Sequence, residues 1–169
     1  MTVIRALGAE EAAARAEALA EVLLDAVAGG ASVSFMAELT RAQAVSYWRR
    51  IAEGVAKEER VLLVAGELDG TAQLVLDTPP NQPHRAELAK MLVHRRARRR
   101  GLGRALFAAV EDEARRRGRT LITFDTMSGS GAERLYLSCG AVKVGEIPGY
   151  ALWPSGGAPA ATSIFYKRL

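Results

Sequence analysis

A single cysteine, Cys139, stands in a chain of 169 residues. One thiol excludes an intramolecular disulfide and leaves too few sulfur ligands for a structural zinc site. Histidine is nearly as scarce: His84 and His94 are the only two, and neither has the carboxylate spacing of a metal motif, so no metal is expected. Aromatic residues make up 6%, and none interleaves the main arginine cluster to stack on bases. No apolar run approaches a membrane span, and the opening Met-Thr-Val-Ile-Arg-Ala has no apolar signal region. These absences lead to the expectation of a cytoplasmic protein with no nucleic-acid partner and no membrane contact. No repeat or low-complexity linker divides the chain, so residues 1–169 read as one domain.

What is present is unevenly spread. The net charge is only +4, yet Arg95, Arg96, Arg98, Arg99, Arg100 and Arg104 crowd one short stretch. That stretch runs from the apolar strand Lys90-Met91-Leu92-Val93 through a turn holding Gly101 and Gly103. It then enters an amphipathic helix, with Leu102, Ala105, Leu106, Ala109 and Val110 on one face. A glycine-interrupted helix entry presents unpaired N–H groups and the positive end of the helix dipole, a suitable place for a phosphate. A second cluster, Arg115, Arg116, Arg117 and Arg119, reads as a solvated helix end.

The remaining elements follow from periodicity. Thr2 to Arg5 is a short strand, and Glu10 to Ala28 a helix ended by Gly29-Gly30. Thr40 with Gln43 forms a capping box ahead of a helix that buries Ala44, Tyr47, Trp48, Ile51 and Val55. Arg60 to Gly66 and Thr71 to Leu76 form a hairpin around Leu68-Asp69-Gly70, and a stiff proline loop leads to a strand from Arg85 to Val93. Beyond the arginine turn and its helix come a strand over Thr120 to Asp125 and a short helix from Ala132 to Ser138. Strands at Val142 to Ile147 and Ser163 to Tyr166 follow, separated by a Gly- and Pro-rich loop. The fold class expected is α/β with a mixed sheet and helices on both faces.

These residues resemble a known family. Arg98-Arg99-Arg100-Gly101-Leu102-Gly103 fits the R-x-x-G-x-G signature of the GCN5-related N-acetyltransferases (GNAT), with Val93 and Leu135-Tyr136 at the expected spacings and Ile164 to Lys167 like the last strand. The resemblance implies a mostly antiparallel sheet of about six to seven strands and acetyl-CoA as co-substrate. Gly29 to Val33, Phe35 to Ala37, Arg85 to Glu87, Asp125-Thr126 and Val144 to Tyr150 resemble a toxin-resistance branch of that family, which acetylates the amine of an amino-acid-like toxin. Three positions depart from the family pattern. Arg99 stands where glycine is common, Ser130 falls near the place of a frequent asparagine, and Gly140-Ala141 replaces Gly-Phe.

By resemblance, the backbone of Arg98, Arg99, Arg100, Gly101, Leu102, Gly103 and Arg104 holds the cofactor pyrophosphate, with Arg98 and Arg104 adding charge. Leu92 and Val93 face the pantetheine and thioester through their main chain, and Ser130 neighbours the cofactor. Tyr136 is the candidate general acid for the departing thiolate; on spacing alone it reads more readily as a core tyrosine. Glu87 and Asp125 are the candidate bases, acting directly or through water, or else binding the substrate ammonium. Their plainer alternatives are a salt bridge of Glu87 with Arg85 or Lys90 and a turn anchor between Asp125 and Thr126. Glu87 reads as in phase with Ala89, Met91 and Val93. Ser32, Ser34, Phe35 and Tyr150, with Trp153, are expected to line the acceptor pocket. His94 reads as solvated and Cys139 as a small buried apolar residue.

Three functions fit these features: acetylation of a small-molecule amine, acetylation of a protein or peptide amine, and a non-catalytic nucleotide- or RNA-binding module. A homodimer is left open.

Overall fold

The computed structural model describes residues 2–169. Seven strands form one sheet in the order β1-β2-β3-β4-β5-β7-β6. They are β1 (Ile4–Leu7), β2 (Arg60–Ala65), β3 (Gly70–Val75), β4 (Arg85–Val93), β5 (Leu121–Met127), β6 (Val142–Trp153) and β7 (Gly156–Arg168). Every neighbouring pair is antiparallel except β4 and β5. The parallel pair requires a crossover, which α4 (Leu102–Arg116) supplies. This is the mixed α/β architecture expected.

Two apolar layers sandwich the sheet. On one face α1 (Ala9–Ala14), α2 (Ala16–Ala28) and α3 (Arg41–Ala56) bury Leu19, Leu23, Trp48 and Ile51 against Leu62, Val64 and Leu92. On the other, α4 and α5 (Gly131–Ser138) bury Leu106, Phe107, Val110 and Tyr136 against Leu74, Ile122 and Phe165. The buried stripe of α4 is Leu102, Leu106, Phe107, Val110 and Ala114, whereas Ala105 is exposed, so the face is rotated from the one expected.

Several expectations hold at the level of single residues. The Thr40 capping box forms, with the Gln43 N–H donating to Thr40 Oγ1 at 3.2 Å, and β4 spans the residues expected. The first helix departs from expectation: Arg15 leaves helical geometry and divides it into α1 and α2.

The larger correction lies near the C-terminus. The segment read as a Gly- and Pro-rich loop is strand on both sides of the two-residue turn Pro154-Ser155, and β6 and β7 form a hairpin closed by Trp153↔Gly156. Because β6 is the edge strand of the sheet, Pro148 interrupts no central ladder there, and edge strands tolerate proline for this reason.

The second arginine cluster is not simply solvated. Arg116 and Arg117 both pair with Glu113, and Arg119 donates to the carbonyls of Arg85 at 3.1 Å and Leu76 at 3.3 Å. Arg119 thus ties the strand that enters the site to the end of β3. Cys139 is half-buried and packs on the α4-side core.

Candidate active site

The site is opened by a strand separation. Parallel pairing of β4 with β5 runs only from Arg85↔Leu121 to Glu87↔Thr123. Beyond Glu87 the two strands diverge, and a cleft of about 1,290 Å³ fills the gap. That exceeds the usual 300–1,000 Å³ for one drug-sized ligand and suits a large cofactor with an acceptor beside it.

One end of the cleft is the arginine turn. Gly101 is the N-cap of α4 at φ 78°, left-handed backbone that favours glycine. The first intrahelical bond is Ala105 N–H to the Gly101 carbonyl, 3.0 Å, so the amides ahead of it lack helical partners. Gly103 has a packing reason as well: a Cβ there would lie 2.7 Å from Leu135 Cδ2, so its absence lets α5 approach α4. Arg99 adopts φ 60°, which accounts physically for glycine being common at that position in the family it resembles.

The arginines divide in a way the sequence did not indicate. Arg98 Nε donates to the Val93 carbonyl at 3.0 Å, and Arg104 donates to the Ser138 carbonyl at 3.1 Å and to Ser138 Oγ at 3.0 Å. Both still line the cleft, as do Arg99, Gly101, Leu102 and Gly103, but Arg100 does not. The two arginines expected to add charge are therefore also braces, one clamping the strand end to the turn and the other clamping α4 to α5.

Ahead of the turn, Asp25 of α2 accepts from the Arg95 N–H at 2.9 Å and from Arg95 Nε at 2.6 Å. Burial raises the Asp25 carboxyl, but the Arg95 donors outweigh it and hold the group below the usual carboxylate range. His94 stands 3.7 Å from Asp25 with its side chain 15% exposed. It is largely buried, contrary to the solvated reading, because Asp25 draws it into the α2–β4 junction.

Tyr136 lines the cleft. Its ring packs at 4.6 Å from Phe124 and 5.6 Å from Phe107. Its hydroxyl takes part in no hydrogen bond among the described residues. Burial, with smaller contributions from Cys139 and Asp125, pushes the phenol well above its ordinary value. It therefore stays protonated, the form a proton donor needs. The ring belongs to the α4-side core, as the plainer reading has it, and it also lines the cleft.

Tyr136 is held by the cap of α5. Ser130 Oγ accepts from the Glu133 N–H at 3.1 Å, so Ser130, which lines the cleft, has a capping duty as well. Glu133 accepts from Lys143 Nζ at 2.8 Å, from Ser163 Oγ at 2.7 Å and from the Gly129 N–H. The Lys143 ammonium first, then Ser163 and the Gly129 amide, hold its carboxyl down to about 2 from 4.5. A depressed carboxylate stabilises the fold above its unfolded value, and that contribution is lost as the pH falls from about 4.5 towards 2. Glu133→Gln should lower Tm by ~5 °C at neutral pH, corresponding to about 2 kcal/mol. It should also flatten the acid limb of stability; thermal melts from pH 7 to pH 3 check both.

The two acids occupy the opposite face of the sheet from Tyr136's aromatic cluster. Glu87, at the point of strand separation, pairs with Arg85 Nη1 at 2.6 Å, which realises the plainer alternative for that residue. Asp125 accepts from Thr162 Oγ1 at 2.7 Å, a neutral donor; Thr126 contributes its carbonyl to the same hydroxyl at 2.9 Å. The carboxylate of Glu87 is thus compensated, and that of Asp125 is paired with no arginine or lysine within 4 Å among the described residues. Thr162 carried no signal in the sequence.

Glu87 is not in phase with Met91 and Val93. Those two pack on the α4-side core together with Ala86 and Leu88, because a bulge lies between them and Glu87: the β3–β4 register shifts between Thr71↔Leu92 and Gln73↔Ala89. Leu92, on the other face, lies in the α2–α3 core. The cleft is also lined from the α2–α3 loop by Ser32, Ser34 and Phe35, and from the β6–β7 hairpin by Tyr150 and Trp153. Tyr150 lies in a strand and not in a loop.

The sequence pattern of the acetyltransferase (GNAT) family matches residues 32–141, and the chain belongs to that family. An uncharacterized N-acetyltransferase from the hisH-hisA intergenic region of Azospirillum brasilense is 36% identical over 106 residues, 60% of this chain and 61% of that relative. The match therefore spans less than two thirds of the curated relative's length. Ribosomal-protein-alanine N-acetyltransferase from Brucella melitensis has the same fold, with a TM-score of 0.82, 24% identity and 99% coverage of both chains. So does yncA from Salmonella typhimurium, solved with its cofactor acetyl-CoA, with a TM-score of 0.78 and 20% identity over 100% of this chain and 94% of that one.

Proposed function

We propose that the chain transfers the acetyl group of acetyl-CoA to the primary amine of a small molecule, an amino acid or an amino-acid-like toxin, by direct attack in a ternary complex. The observation that carries this is the divergence of β4 from β5. It leaves an open strand edge running from the N-terminus of α4, past Tyr136, to Asp125. Such an edge accepts an extended, amide-bearing chain as an added strand, and pantetheine is one. Family membership and the acetyl-CoA bound by a protein of the same fold support the co-substrate.

In this reading the amides of residues 98–104, with Arg98, Arg99 and Arg104 beside them, take the pyrophosphate. Arg100 contributes through its backbone alone. Leu92 and Val93 face the thioester through their main chain. Asp125 binds the acceptor ammonium and takes its proton. The freed lone pair attacks the thioester carbonyl carbon, the carbon–sulfur bond breaks as Tyr136 gives its proton to the leaving sulfur, and the second proton of the acylated nitrogen passes to the tyrosinate oxygen, which restores the phenol. Glu87, already paired, orders the strand separation.

The likeness to the tabtoxin-resistance acetyltransferase in the segments around Gly29, Arg85, Asp125 and Gly149 supports an amino-acid-like acceptor. The two walls formed by Phe35 and Tyr150 support a small molecule over a protein amine.

Thermal shift tests the cofactor assignment. Acetyl-CoA at 100 times its Kd should stabilise the fold by about 2.7 kcal/mol, roughly 5–10 °C, and an RNA oligonucleotide should leave Tm unchanged. A shift with RNA and none with acetyl-CoA would assign the arginine turn to nucleic acid.

A further inference from the structure

Strand pairing and core packing leave one cleft residue unexplained. Lys90 sits at the β4 bulge with φ 45°, left-handed backbone for a residue that has a side chain. After the bulge the strand's facing is reversed, which places Lys90 on the same side as Glu87 and Leu92, towards the α2–α3 loop. There its Nζ donates to Ser34 Oγ at 3.0 Å. Ser34 is itself left-handed at φ 73°. Two conformations that side chains rarely adopt are thus joined by one hydrogen bond on the cleft wall. Strain of this kind persists where the surroundings fix it and gathers at ligand sites.

The charge of Lys90 is also uncompensated. Lys143 and Lys167 each have a carboxylate within 4 Å, at 2.8 Å from Glu133 and 3.5 Å from Glu111. Lys90 has none among the described residues, and its one hydrogen-bond partner is a neutral hydroxyl. Burial lowers its ammonium from the ordinary value, opposed in part by the field of Asp125. A cation drawn out of water without a partner is unfavourable, and an incoming anion would relieve that. Two further N–H donors of the ammonium remain for it.

We propose that Lys90 and Ser34 form the subsite for a carboxylate of the acceptor, so that the amine accepted here belongs to a zwitterion. The inference rests on the acetyl-transfer reading above and names the substrate class for it. Asp125 takes the ammonium end, and Lys90 with Ser34 takes the carboxylate end. A carboxylate carries one negative charge and matches one ammonium with one hydroxyl. A phosphoryl dianion is matched better by paired guanidinium groups, and Arg85, the arginine beside the acids, is committed to Glu87, Gln82 and Thr123.

The test compares amines that differ only in the carboxylate: L-lysine with cadaverine, and L-ornithine with putrescine. Wild-type kcat/KM should favour the carboxylate-bearing member by about tenfold or more. In Lys90→Gln that ratio should collapse to within about threefold of unity, and Lys90→Arg should restore most of it. A ratio cancels any general loss of activity, and an unchanged acetyl-CoA thermal shift certifies the fold of each variant. Equal rates for the two members in the wild type, or an undiminished ratio in Lys90→Gln, would overturn the subsite. Should acetyl-CoA bind with none of the four amines acetylated, the small-amine reading falls. Calorimetric titration of L-lysine and cadaverine into the CoA-bound protein then decides the subsite separately: tighter L-lysine binding that Lys90→Gln abolishes supports it, and equal binding overturns it.

Discussion

Tyr136→Phe should lower kcat by about 100-fold and leave the acetyl-CoA Kd within about twofold. The substitution removes one oxygen and keeps the ring, so the contacts with Phe107, Phe124 and Phe165 survive and Tm should stay close to wild type. Its hydroxyl has no hydrogen-bond partner among the described residues, so none is lost there. What disappears is a proton held ready at the cleft wall. Because burial raises the phenol above its ordinary value, the wild type should show no alkaline loss of kcat from tyrosine ionisation up to about pH 10. Wild-type turnover by Tyr136→Phe across the pH range would remove this residue from the chemistry and return it to the core.

Asp125→Asn should lower kcat/KM for the amine by about 100-fold or more without changing the KM for acetyl-CoA. Asparagine has the size of aspartate and keeps an oxygen to accept from Thr162, whose hydroxyl is 2.7 Å away. The fold therefore has little reason to respond. The charge that would hold an ammonium and take its proton is gone. Glu87 is a poor substitute because Arg85 sits 2.6 Å from it. A fully active Asp125→Asn would pass the base role to Glu87 or to water.

The parts of this molecule that could be read from the chain are those set by near neighbours. The β4–turn–α4 unit follows from an apolar run, two glycines and a helical stripe. The α3 cap follows from Thr40 and Gln43 lying three apart, and the short helix that carries Tyr136 from the glycines that bound it. What escaped depends on residues distant in sequence. Asp25 looks like a flaw in the apolar face of α2 until Arg95 and His94 arrive against it. Arg104 reads as free charge because Ser138, 34 positions away, is brought to it only by folding, and Arg98 because the turn folds its side chain back onto the Val93 carbonyl.

The long β6–β7 hairpin was missed for a different reason. Pro148, Gly149, Gly156 and Gly157 are breakers by propensity, but the first two sit on the edge strand β6 and the last two lie in the part of β7 that does not pair with β5. The bulge at Lys90 left no signal at all, since a lysine at left-handed φ has no sequence signature. That one inserted residue also shifted the phase of the strand, which put Glu87 and Val93 on different faces.

Initial-rate kinetics with both acetyl-CoA and an amino-acid acceptor varied tests the central claim most directly. Thiol release followed together with the mass of the acetylated product should give intersecting double-reciprocal lines, as direct attack in a ternary complex requires. Parallel lines with an acetylated protein intermediate, or thiol release without an acetylated amine, would contradict it.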